Sequence, residues 1–320
     1  MINTKDILLK TKYFAEENRK RSWISFLTLL TILAVAVTGA TIPGNIYIRS
    51  VFSVFTGLLL IRMFIFYHDY HHGAIFRKST LAKWILNFYG VLVLAPPVAW
   101  RNTHNSHHDH NAQISFDALG AFPIMTTEEY KNASLGMRLK YIGVRNPLFI
   151  LLSYLTVFIM RMCVVPFLSE PRRHFDSLIA VLLHGLIIFA LTLLGWDYVI
   201  FSVFIPLFVA LTMGAYLFYI QHNAPSIQLK PIDQWDYGFA AMNSSSFLEG
   251  GKFLHWISGN IGYHNVHHAN CLIPFYRLPE AMAAIPELQN PARSSLKPID
   301  IYKCLRLKLW DLKQNKLVGY

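Results

Sequence analysis

With 320 residues, 54% hydrophobic side chains and a mean hydropathy of +0.35, the chain is more apolar than a soluble globular domain. Its formal charge of +11 would suggest nucleic acid, but the basic residues flank apolar runs, as at Arg19-Lys20-Arg21 and Arg172-Arg173. That is the positive-inside pattern of a membrane protein, and no nucleic-acid partner is expected. Only three cysteines occur, Cys163, Cys271 and Cys304, none at C-x-x-C spacing, which leaves neither a disulfide framework nor a thiolate metal site.

Residues 1–21 are polar and mixed in charge, and they read as a cytosolic N-terminus rather than a cleaved signal. Apolar stretches near 20 residues then fall at about 23–43, 46–67, 81–99, 148–168, 176–196 and 197–220. Each is long enough for a hydrocarbon core of roughly 30 Å. Tight turns at Pro43-Gly44-Asn45 and Gly195-Trp196-Asp197 join four of them into two helical hairpins, about 23–67 and 176–220. The stretch 81–99 contains Pro96-Pro97, and 148–168 carries Arg161, so both are expected along the interface or as re-entrant segments. Parity supports this, because a single further crossing would separate the histidine clusters described next. The sequence thus predicts an all-α integral membrane fold, multi-pass, with two transmembrane helical hairpins giving four crossings. Interfacial helices and a cytosolic cap from 68–147 and 221–320 complete one domain over 1–320, with both termini cytosolic.

Of fourteen histidines, ten fall in three clusters of three, four and three. These are His68, His71 and His72 after the second apolar run, then His104, His107, His108 and His110 after the third, then His264, His267 and His268 in the polar C-terminal part. On a helix, positions i, i+3 and i+4 share a face, so each cluster aims two or three imidazoles at one point. His110 lies roughly 200° from His108 and points to solvent or supports the ligands. His174, His184 and His255 lack partners at helical spacing and read as ordinary surface or hydrogen-bonded residues. Packed imidazoles without a cation would be weak bases competing for few partners, so a metal is implied. Eight or nine imidazoles exceed one zinc site, and two ions keeping an open position suit iron and dioxygen.

The three boxes resemble those of the membrane fatty acid desaturase and hydroxylase superfamily. Within that match, Gln221 to Pro225 (Q-H-N-A-P), Asn243 to Ser246, Ser258 to His268 and Ile273 to Ala281 are similar to bacterial acyl-lipid desaturases of the omega-6 branch. The resemblance implies a cytosolic helical cap holding two Fe ions, bound by His68, His72, His104, His107, His108, His222, His264, His267 and His268. His222 is the extra histidine before the third box. The branch commonly has Cys-Gly where this chain has Tyr70-His71, so His71 is a candidate substitute ligand. The stretch D-H-N-A-Q-I-S after the second box also departs from the family pattern, in a region that bears on headgroup contact or donor docking. Asp69, Trp100, Arg101 and Asn265 stand where imidazole-orienting residues would be.

By the same resemblance, O2 at the iron centre supplies an oxidant that removes two hydrogens from adjacent carbons of a fatty acyl chain. The substrate is expected to be an acyl-lipid, with acyl-CoA and acyl-ACP as alternatives, in a bacterial inner membrane with the boxes facing the cytosol. A hydroxylase, acetylenase or other oxygenase on the same scaffold is the near alternative, and a zinc-dependent membrane hydrolase the far one. Two further electrons are needed per turnover, and no fused redox domain is recognisable in these 320 residues. A ferredoxin or cytochrome b5 is the expected donor, steered by Arg101, Lys131, Arg138, Lys140, Arg145, Arg277 and the Lys303 to Lys316 stretch.

Overall fold

Helix ends in the computed structural model, which describes residues 4–111, 113–114 and 122–320, follow the capping chemistry of the sequence. The side chain of Asn18 accepts from the Arg21 amide at the start of Arg19–Thr41. Asn45 accepts from the Tyr47 amide at the start of Ile46–His72, and Gly73 closes that helix at φ 74°. A short polar residue that satisfies free amides, and a glycine that tolerates the left-handed region, are the usual signals for such boundaries.

Contacts divide the chain into two units. One comprises Glu17–Asn102 and Ile150–Ala215, and the other Met1–Glu16, Thr103–Phe149 and Tyr216–Tyr320. The first carries most of four helices long and apolar enough to cross a membrane: Arg19–Thr41, Ile46–His72, Phe175–Thr192 and Trp196–Gln221. Leu27, Val35, Leu182, Leu186 and Phe189 are exposed on them, while Phe26, Leu29, Leu59 and Phe66 are buried. Apolar side chains facing outward suit a lipid solvent, so the packing is driven by fit rather than by water exclusion. Gly57 marks a close approach: a Cβ there would lie 2.7 Å from the Pro206 carbonyl oxygen and from Val209 Cβ. The buried Arg49 donates to Asp197 at 2.7 Å, tying the two hairpins together near their turns.

Neither of the two remaining apolar stretches forms one continuous helix of spanning length. Thr80–Leu92 and Pro97–Asp109 are bent by 91° at the break between them, as Pro96-Pro97 demands. Tyr154–Ser169 is shorter, and its Tyr154–Val164 portion is wound as π-helix. Another π segment, Ile200–Phe204, interrupts the last span. Each π segment ends two residues before a proline, Pro166 or Pro206, whose missing amide cannot continue the α-helical ladder. The fold class expected from the sequence, with four apolar helices paired as two hairpins, is the one observed.

The second, more polar unit exposes lysines beside apolar side chains such as Leu135 and Phe253, and mixes short helices with small β pairings that hydropathy did not predict. Met125–Thr126 runs parallel to Leu309–Asp311, which pairs antiparallel with Lys316–Val318. Ser246–Glu249 runs parallel to Ala292–Ser295. Trp310, fully buried, anchors one core with Ile124, Ala224, Ile227, Leu229 and Leu317. The N-terminal Thr4–Thr11 helix belongs to this unit: Asn270 donates to the Thr11 hydroxyl, and Arg277 to the carbonyls of Tyr13 and Glu16.

Candidate metal centre

The third histidine box forms one short helix, His264–Ala269, with His264, His267 and His268 all buried. The i, i+4 pair His264 and His268 sets its rings edge to face with centroids 4.5 Å apart, as neighbours on one helix face can be. His104, His107 and His108 lie on the final turns of Pro97–Asp109. His222 stands one residue beyond the end of the last apolar helix.

Within the polar unit these seven side chains form two sets. The ligating nitrogens of His107, His222, His264 and His268 all lie within 4.8 Å of one another. Nε2 of His222 is 3.1 Å from that of His107 and 2.8 Å from that of His264, and His264 is 3.1 Å from His268. In the second set, His104, His108 and His267 are likewise within 4.8 Å of one another, with 3.1 Å between the Nε2 atoms of His108 and His267. The sets adjoin, since the His108 and His268 rings stack at 4.5 Å.

A cation explains these distances. Metal–imidazole bonds of about 2.1 Å meeting at right angles put neighbouring nitrogens roughly 3 Å apart, which is the spacing found here. The protonation state agrees. Burial pushes His222 down to about 4, and burial together with the surrounding imidazoles holds His268 well below the usual imidazole value. Neutral rings are the form that binds a metal. The Nδ1–H of His222 donates to the Ser244 carbonyl at 3.3 Å, which turns its Nε2 lone pair toward the other rings. The histidine sets therefore fit a metal, and this chemistry is confined to nitrogen donors.

The first box lies at the end of Ile46–His72, in the apolar unit. His68 and His72 hold their rings 4.6 Å apart, and His68 Nδ1 donates to the buried Asp69 carboxylate at 2.9 Å. Asp69 is thus the imidazole-orienting residue that its position suggested. His71 packs its ring on Tyr67 and Trp100, and it joins no group of metal-ligating atoms among the described residues. Asn265 donates to the Leu288 carbonyl and so holds the third-box helix in place. His110 is exposed and bonded to the Ser106 carbonyl. His184 pairs with the Tyr154 hydroxyl, and His255 stacks on Phe247. His174 is buried rather than on the surface. Of the divergent stretch after the second box, Ala112 and Ser115 lie outside the described residues.

The model of the fatty acid desaturase family matches residues 45–295 of the chain. The chain belongs to the fatty acid desaturase family. It is an enzyme of fatty acid desaturation and, with its four apolar helices, a membrane protein. Among its relatives, a fatty acid desaturase of Bacillus subtilis is 32% identical over 269 residues, covering 82% of this chain and 74% of the relative. The sn-1 oleoyl-lipid 12-desaturase of Synechocystis is 25% identical over 285 residues, 86% of this chain and 79% of the relative. The sn-1 acyl-lipid omega-3 desaturase (ferredoxin) of Nostoc is 23% identical over 297 residues, 89% and 80%.

Two residues of the desaturase contradict the expectation from charge alone. Arg145 and Lys308, expected from their charge on a donor-steering basic face, are 1% and 7% exposed. Arg145 closes the helix Leu135–Arg145 and turns inward to Asn223, and Lys308 donates to the Arg145 carbonyl. Arg101, Lys131, Lys140, Lys303, Lys313 and Lys316 do remain exposed. Asn111 is also buried, a placement that the sequence does not signal. It neighbours the second box, but an asparagine after a histidine run carries no periodicity.

Proposed function

We propose that this desaturase uses two iron ions to introduce a double bond into an acyl chain of a membrane lipid. The observation that carries the reading is the convergence of His107, His222, His264 and His268, beside a second histidine set, in a chain of this family. We assign the four-histidine set to one iron. His104, His108 and His267, completed by His68 and His72, are assigned to the other, following the boxes of the sequence. His71 stays a reserve ligand. When bound, iron and O2 supply an oxidant strong enough for an unactivated methylene, which acid–base groups cannot attack.

The protein's own task is placement. His222 is aimed by Ser244 and His68 by Asp69, so Nε2 stays the ligating atom in each. The buried histidines are kept neutral, and the apolar helices offer an acyl chain a dry approach. An acyl-lipid substrate is supported by the names of the Synechocystis and Nostoc relatives, and an external ferredoxin by the latter. The chain acts as one desaturase domain in a bacterial inner membrane, with the boxes and both termini on the cytosolic side, as the positive-inside charges indicate.

Expression in a host of defined lipid composition, with mass spectrometry of fatty acid methyl esters, should give a product two mass units lighter. Products sixteen units heavier instead would mean hydroxylation. Elemental analysis should find two irons per chain, and one zinc without iron would overturn the metal assignment. Purified enzyme in nanodiscs should form no product from NADPH until ferredoxin and its reductase are added. Cysteines introduced at Asn45 and His110 should label from opposite sides of the membrane.

A further inference from the structure

The polar unit contains a cavity of about 40 Å3 that metal ligation leaves unexplained. It has room for roughly three waters or one group of three or four heavy atoms, since a water needs about 10–15 Å3. His107 and His222 form one wall, and Asn111, Arg145, Asn223 and Ser244 supply polar atoms around it. Asn111 is 3% exposed, and neither its Oδ1 nor its Nδ2 has a hydrogen-bond partner among the described residues. The residue is nonetheless held firmly, because its carbonyl accepts from Trp235 Nε1 at 2.7 Å.

Arg145 is a buried cation with part of its fork undirected. Both of its hydrogen bonds run from Nη2, to Asn223 Oδ1 at 2.7 Å and to the Leu307 carbonyl at 2.9 Å, while buried Nε has no partner. Asn223 cannot turn away, because its Nδ2 donates to the Tyr219 hydroxyl and the Cys304 carbonyl. Lys308 is buried next to it, and among the described residues neither cation is in an ion pair. Two buried positive charges with no carboxylate partner among the described residues are unfavourable. Water in the cavity would satisfy Asn111 and leave that charge standing.

We propose that the cavity binds a small planar oxyanion of the carboxylate or carbonate class, accepting hydrogen bonds from Arg145 Nε and Asn111 Nδ2. A planar anion matches the guanidinium fork. Bicarbonate would in addition donate its O–H to Asn111 Oδ1, the acceptor that is otherwise unmet. The Lys308 ammonium, pushed down to about 8 by burial and by the Arg145 charge, is consistent with an excess of positive charge awaiting an anion. The inference is independent of which metal the histidines hold.

The test uses metal-loaded full-length protein in nanodiscs, dialysed into CO2-depleted chloride buffer. Its thermal midpoint is followed with sodium bicarbonate, formate, butyrate and chloride at equal ionic strength. Bicarbonate, formate or both should raise the midpoint by roughly 3 °C at about ten times their Kd, and butyrate should not. The responding anion tells carbonate from carboxylate. Arg145→Gln also removes the bonds to Asn223 and Leu307, so the deciding variant is Asn111→Asp, which installs a carboxylate in the cavity. It should raise the midpoint in chloride alone and abolish the response. Equal midpoints in all four salts, an equal rise with butyrate, or a response undiminished in Asn111→Asp would overturn the proposal. Iron content measured on the same samples reports separately on the metal assignment.

Discussion

The apolar and polar units solve opposite solvent problems with the same kinds of side chain. In the apolar unit, leucine, valine and phenylalanine face outward along the four helices, and Arg49 is buried beside Asp197, while charges such as Arg19 to Arg21 and Arg172-Arg173 stay exposed at the helix ends. In the polar unit lysines face outward, while the interior holds five buried histidines, Asn111, Arg145 and Lys308. Burial of polar groups there is too dense to be explained by packing. A hydrophobic core would be the more stable filling, so retention of this interior is the mark of ligand chemistry. The apolar unit is thus the part in which fit determines stability, and the polar unit is the part in which chemistry overrides it.

The sharpest test of this division is His107→Ala or His267→Ala. Each should lower metal affinity by at least roughly 100-fold and abolish product, because removing a ligand exceeds the effect of removing its support. The protein should still insert, with its helical circular dichroism unchanged. His174→Ala, in the apolar unit, should retain full metal content, and loss of metal there would break the division. The reverse perturbation is Gly57→Leu, which drives a side chain into Pro206 and Val209. It should destabilise the protein by about 1–3 kcal/mol, read as a lower denaturation midpoint in detergent, while metal bound per folded molecule is unchanged.

The smallest effect is expected at Lys308. Its folded value of about 8 lies below the ordinary lysine value of 10.5, so between those pH values the unfolded chain binds more protons than the folded one. Stability of the wild type should therefore rise as pH goes from 8 toward 10.5. Lys308→Met lacks this gain. Its stability relative to the wild type should be highest near pH 7 and should shrink above pH 8, as measured by denaturant unfolding at both pH values. A difference that stays constant with pH would mean that the ammonium is solvated and that the interior is less dry than its burial implies.

Hydropathy and helical spacing are local properties, and what they govern was legible in the chain. The four apolar helices, the turns at Asn45 and Gly195, the break at Pro96-Pro97 and the i, i+4 pairing of His264 with His268 all follow from neighbours a few residues apart. The capacity to hold a metal was legible too, because three histidine boxes at helical spacing bring many imidazoles together. What tertiary structure decided was the company each residue keeps. His222 meets His107 across 115 positions, and no periodicity reports that distance. Nor could the sequence tell inward cations from outward ones: Arg145 and Lys308 read like the exposed lysines around them until Asn223 and the Leu309–Asp311 strand enclosed them. Charge is a property of the residue, whereas burial belongs to the packing that surrounds it.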